Sequence, residues 1–104
     1  MSNFVLKNWK DRVVFSDQGP QPQVLEENSI FKLVLAGLEA GQQIPVHPEA
    51  ASVFTILQGS GWMTVDDERF PIEAGAVITL GDGSRRGLEA TSPLAFLAVR
   101  IGSD

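Results

Sequence analysis

The sequence predicts a single all-β domain, an antiparallel barrel of the jelly-roll kind, and three observations carry that prediction. Short apolar runs recur along the 104 residues. Glycines and prolines punctuate them at close intervals, and no stretch carries the 3.6-residue stripe of a long amphipathic helix. At this length, 43% hydrophobic residues can build one modest core and leave no room for a second catalytic domain.

Taken in order, the runs that read as strands are Val13 to Ser16, Ser29 to Ala36, Ala51 to Gln58, Trp62 to Asp66, Arg69 to Ile72, Ala76 to Leu80, Arg86 to Ala90 and Leu94 to Ile101. Residues 1–27 form an N-terminal segment and 28–104 the barrel. Phe4, Val5, Leu6, Trp9, Val13, Val14 and Phe15 give the N-terminal piece more apolar surface than a solvated tail carries. It packs either as an extra edge strand on its own barrel or across a partner in a homodimer, where a buried Trp9 suits an interface. Asp17 to Val24 is rich in Gln, Pro and Gly and reads as a surface loop. Asp66 and Asp67 sit between two apolar runs and suit a tight hairpin, because aspartate tolerates turn conformations. Trp62 and Met63 point to opposite faces of one strand, so only one of them lines the interior. Gly75 and Gly83 read as turn residues, and no phosphate-cradling glycine loop precedes a helix.

Composition removes several function classes. Eight basic against 13 acidic residues give a net charge of −5, and basic residues do not cluster beyond Arg85 and Arg86. Nucleic acid and anionic membranes are therefore not expected partners, since phosphate binding needs gathered positive charge. With no cysteine, disulfides, thiolate metal sites and cysteine nucleophiles are excluded. Lys7, Lys10, Asp11 and Arg12 interrupt any apolar run near the start, so no signal peptide or spanning helix is expected and the default address is cytoplasmic.

Two stretches carry a more specific signal: GQQIPVHPEAASVFTILQGSG from Gly41 and GAVITLGDGSRRG from Gly75. Together they resemble the two motifs of the cupin superfamily, small RmlC-like β-barrels of double-stranded β-helix form, and the resemblance covers about two thirds of the chain. The family's first motif runs glycine, five residues, His-X-His, three or four residues, glutamate, six residues, glycine. Its second runs glycine, five residues, Pro-X-Gly, two residues, histidine. The three histidines and the glutamate usually hold a divalent metal. Residues two apart in a strand share a face, so His-X-His presents both rings to the interior.

Mapped onto this chain, the four ligand positions are His47, Glu49, Ser52 and Arg86, and Pro-X-Gly becomes Gly81-Asp82-Gly83. Glu49 can ligate through oxygen, but Ser52 is a poor ligand at neutral pH. Arg86 is charged, has no lone pair to offer, and repels a cation if it points inward. The expectation is a degenerate site with no resident metal. The minority alternative is Fe, Mn, Ni or Zn held by His47 and Glu49. If Arg86 and Glu49 both face the pocket, a guanidinium–carboxylate pair can stand where an ion would; otherwise Arg85 and Arg86 are a solvated pair. In the family register Ser52, Phe54 and Ile56 share the interior face, which makes Phe54 core and the floor of a pocket.

Three function classes follow. The first is a metal-free barrel that binds a small polar or anionic molecule through His47, Glu49, Ser52, Phe54 and Arg86. The second is a metal-free isomerase, epimerase or lyase with His47 and Glu49 as acid/base pair. The third is a metal-dependent dioxygenase or isomerase with an atypical site.

Overall fold

The computed structural model describes residues 3–102, and Met1, Ser2, Ser103 and Asp104, the outer ends of the two segments drawn above, lie outside it. The described residues form a 3₁₀ turn at Trp9–Asp11 and nine strands: β1 (Gln21–Glu27), β2 (Phe31–Leu38), β3 (Gln43–Pro48), β4 (Ser52–Gln58), β5 (Ser60–Val65), β6 (Glu68–Glu73), β7 (Val77–Leu80), β8 (Arg85–Ala90) and β9 (Leu94–Ile101). They build two antiparallel sheets ordered β1-β2-β9-β4-β7 and β3-β8-β5-β6. Among the described residues no strand of one sheet pairs with a strand of the other, so the expected barrel is an open jelly roll with edges at β1, β7, β3 and β6.

The period-2 alternation decides which side chains meet between the sheets. Ala36, Leu38, Ile56, Phe96 and Ala98 point in from the first sheet, and Met63, Ile72, Leu88 and Ala90 from the second. Met63 is the inward member of its pair, while Trp62 lies outside with the Arg69 guanidinium carbon 4.1 Å from its ring centroid. The β5–β6 hairpin turns through Asp66 and Asp67 at φ 50° and 84°, two positive values as in a type I′ turn. Gly59 at φ 82° admits no side chain, because a Cβ there would lie 2.0 Å from the Pro93 carbonyl oxygen.

Three of the expected elements differ. Val13 to Ser16 is not a strand; it crosses the outer face of β2, where a Cβ on Gly37 would lie 2.4 Å from the Val14 carbonyl oxygen. Gln42 Nε2 clamps its end by donating to the Ser16 carbonyl at 2.6 Å. Part of the N-terminal apolar surface thus packs on its own domain. The expected loop of residues 17–24 gives its second half to β1, and Gln43–Pro48, absent from the runs read as strands, is β3. Both contain proline, and both are edge strands, where a missing N–H interrupts no inner ladder.

Candidate functional site

One end of the space between the sheets stays open as a cavity of about 380 Å³. Its floor is apolar: the Phe54 and Phe96 rings stack with centroids 4.9 Å apart, and Met63, Leu88, Val34 and Ala98 complete it. Its mouth collects every position that the sequence singled out, His47, Glu49, Ser52 and Arg86, and adds Lys32 and Arg100.

β3 and β8 deliver the first pair. A shift in the β3–β8 register between Ile44 and His47 brings His47 opposite Arg86. Around His47 both nearest partners are acceptors: Nδ1 lies 2.8 Å from the Pro45 carbonyl oxygen and Nε2 3.2 Å from Glu49 Oε2. The imidazolium donates to both at once, whereas the neutral ring can donate to only one. The other carboxylate oxygen, Glu49 Oε1, accepts from the Arg100 guanidinium at 2.8 Å. His47, Glu49 and Arg100 therefore form one continuous polar chain across the mouth.

Arg86 points inward and is 3% exposed, while Arg85 is exposed. Its five N–H groups meet six acceptors. Nε donates to the Ser84 carbonyl at 3.2 Å, and one terminal nitrogen to the Ala50 carbonyl at 2.8 Å and the Ser52 hydroxyl at 3.0 Å. The other terminal nitrogen reaches the carbonyls of Glu49 and Gly81 and, at 2.6 Å, the Ser84 hydroxyl. The pairing with the Glu49 carboxylate envisaged from sequence is not formed: Arg86 takes the Glu49 main-chain oxygen, and the carboxylate turns to Arg100 and His47. Burial lowers the Arg86 pKa from its ordinary value, and Glu49, Asp66 and Asp82 partly offset this through their charge. A guanidinium starts so far above neutrality that it stays charged. The glycine-rich turn Gly81–Ser84 is thereby tied to the β3–β4 connection, an attachment reinforced by the Gly83 N–H on the Glu49 carbonyl at 2.8 Å.

Ser52 is buried; its hydroxyl donates to the Ala50 carbonyl at 2.9 Å and accepts from Arg86. Neither it nor Arg86 has a donor left for a guest. Lys32 and Arg100 were missed because both lie outside the two motifs. Strand register places Lys32, Arg100 and Ser52 abreast on β2, β9 and β4. A signal was present: Leu94, Phe96, Ala98 and Arg100 occupy alternate positions of one predicted strand, so a charge ends an inward-facing apolar row. Lys32 makes no hydrogen bond or ion pair among the described residues, and Glu27, opposite it in the β1–β2 ladder, does not pair with it.

Comparison with solved structures supports the fold. An RmlC-like cupin from Desulfovibrio desulfuricans superposes at TM-score 0.80 with 28% identity, over 97% of this chain and 95% of that one. The chain folds as a small cupin-superfamily domain. An uncharacterised double-stranded β-helix protein from Klebsiella pneumoniae matches this cupin domain at TM-score 0.87 and 20% identity, over 98% of this chain and 93% of that one. A predicted oxalate decarboxylase from Thermotoga maritima matches at TM-score 0.75 and 25% identity, over 81% of each chain. No family model matches the sequence, and no curated protein does. At the cupin ligand positions stand one imidazole, one carboxylate, one hydroxyl and one guanidinium. Among the described residues no group of three or more His, Cys, Asp or Glu side chains is placed to hold a metal ion. Nor is any helix among them long and apolar enough to cross a membrane.

Proposed function

We propose that this cupin domain is a metal-free binding barrel for a small polar or anionic molecule. One observation carries the reading: the cavity is apolar within and cationic at its mouth, against the charge of the chain as a whole. Three of eight Lys and Arg side chains line it, with one of 13 Asp and Glu, in a chain of net charge −5. A concave, largely apolar site with a few convergent charges is what small-molecule recognition requires. His47 and Glu49 alone do not fit a resident divalent ion, because Arg100 already occupies one carboxylate oxygen and the Arg86 charge stands beside them. The predicted oxalate decarboxylase among the relatives is in keeping with a small acid as ligand. A homodimer in the cytoplasm completes the reading.

The His47–Glu49 contact of 3.2 Å favours one second reading, a metal-free isomerase, epimerase or lyase using them as an acid/base pair. In that case Glu49 must move aside, because both ring nitrogens of His47 already face acceptors. Two measurements on untagged protein test the proposal. Elemental analysis finds no stoichiometric metal, and a thermal-shift panel of carboxylates, sugar phosphates and neutral sugars finds an anion that stabilises the fold, by ~2.7 kcal/mol at 100 times its Kd. Stoichiometric iron, manganese, nickel or zinc that disappears in His47→Ala overturns it, and so does a panel in which no carboxylate, sugar phosphate or sugar stabilises the fold.

A further inference from the structure

Building on that reading of the cavity, we infer that the ligand is a monocarboxylate with an apolar body, and that its carboxylate docks on Arg100 and Lys32 in competition with the Glu49 side chain. Arg100 is the anchor because of what it has left over. Its side chain is 28% exposed, and among the described residues one terminal nitrogen holds Glu49 Oε1 at 2.8 Å while its remaining N–H groups have no partner. Lys32, directly opposite it in the β2–β9 ladder, has no hydrogen-bond or ion-pair partner among the described residues. Two adjacent cations on the inward face of neighbouring strands, one already gripping a carboxylate, are a receptor for a second carboxylate. Glu49 is the built-in occupant of that receptor.

The rest of the cavity sets the body of the ligand. Below the mouth lie Phe54, Phe96, Met63, Leu88, Val34 and Ala98. Two polar groups of the lining, Arg86 and Ser52, are fully engaged with the protein's own oxygens. A polyol or sugar placed there leaves its hydroxyls without partners, and a second carboxylate is stripped of water with nothing to receive it. An apolar chain or ring loses nothing there and covers the two phenylalanine faces.

The competing carboxylate makes the test one of sign as well as size. Calorimetric titration of 4-phenylbutyrate, 4-phenylbutanol, inorganic phosphate, a sugar phosphate and a neutral sugar is carried out on the native protein and on R100Q, K32Q and E49Q, each checked for folding by its melting temperature. The acid binds, and the alcohol binds ~10-fold more weakly or worse. R100Q loses ~10-fold or more and K32Q ~3-fold, while E49Q gains ~3-fold or more because the internal rival has lost its charge. Equal binding of alcohol and acid, or weaker binding by E49Q, overturns the inference; should R100Q not fold, the opposed signs of K32Q and E49Q still decide it. Phosphate, sugar phosphate or sugar binding without 4-phenylbutyrate removes this ligand class and leaves the binding barrel standing. If none of the five binds, both readings fall.

Discussion

Two arginines stand at the same cavity and do opposite work. Arg86 is 3% exposed and gives its five N–H groups to four main-chain carbonyls and two serine hydroxyls, none of them charged. Arg100 is 28% exposed and gives one nitrogen to one carboxylate. The same functional group is framework in the first case and, on the proposed reading, a binding group in the second, and the difference lies in how many donors the fold has already used. A motif position therefore predicts where a side chain points without predicting whether it is free to act. Arg86, at the position that the motif resemblance gives to a metal-binding histidine, gathers two connections around one positive charge. On the proposed reading the ligand chemistry has moved to the facing sheet, to Arg100 on β9.

The largest effect expected from that contrast is on stability at Arg86. Arg86→Met fills much of the same volume but removes all six guanidinium hydrogen bonds; the Glu49 carbonyl keeps the Gly83 N–H, Ala50 the Ser52 hydroxyl and Gly81 the Ser84 hydroxyl, while the Ser84 carbonyl loses its Arg86 donor. Losing six hydrogen bonds to a buried cation costs about 3–5 kcal/mol. For a domain of this size that lowers the melting temperature by more than about 10 °C, as thermal unfolding would show. A variant that melts with the native protein yet fails to bind anions would exchange the roles assigned to the two arginines.

Much of the inner architecture was legible because strands in the middle of a sheet obey simple rules. β4, β8 and β9 have alternating apolar faces, turn residues at their ends and no proline, and the sequence places them to within a residue at either end. The two strands that were missed, β1 and β3, carry Pro22, Pro45 and Pro48 and lie at sheet edges. Composition there reads as loop, and only the neighbouring strand turns it into sheet. At the site, motif spacing brought His47, Glu49, Ser52 and Arg86 to one mouth. It could not show which acceptors Arg86 would choose, since the carbonyls of two connections become its neighbours only once the sheets have packed. Arg100 was within reach of period-2 reasoning but lay outside the motif, and Lys32 needed the β2–β9 register as well.

Ser52→Ala sharpens the contrast at an intermediate scale. It removes one of the six acceptors around Arg86 and the Ser52 donation to Ala50, while the Ala50 carbonyl keeps its 2.8 Å bond from Arg86. The expected loss is about 1–2 kcal/mol, a third or so of the Arg86→Met effect, by thermal or denaturant unfolding. A loss as large as that of Arg86→Met would mean that the hydroxyl, and not the set of carbonyls, holds the guanidinium in place.

Arg100→Gln is expected to disturb the fold least. Its one partner among the described residues is a carboxylate, 29% exposed, that keeps His47 as a second neighbour, so the ion pair contributes only about 1 kcal/mol or less. If Arg100 is a binding group, this variant therefore separates two quantities that Arg86→Met moves together: the unfolding midpoint stays near that of the native protein while affinity for the acid collapses. If unfolding shows instead that Arg100→Gln costs as much as Arg86→Met, Arg100 belongs to the framework as well. The distinction between spent and available donors would then fail, because an arginine with most of its N–H groups unpartnered would be holding the sheets together through charge alone.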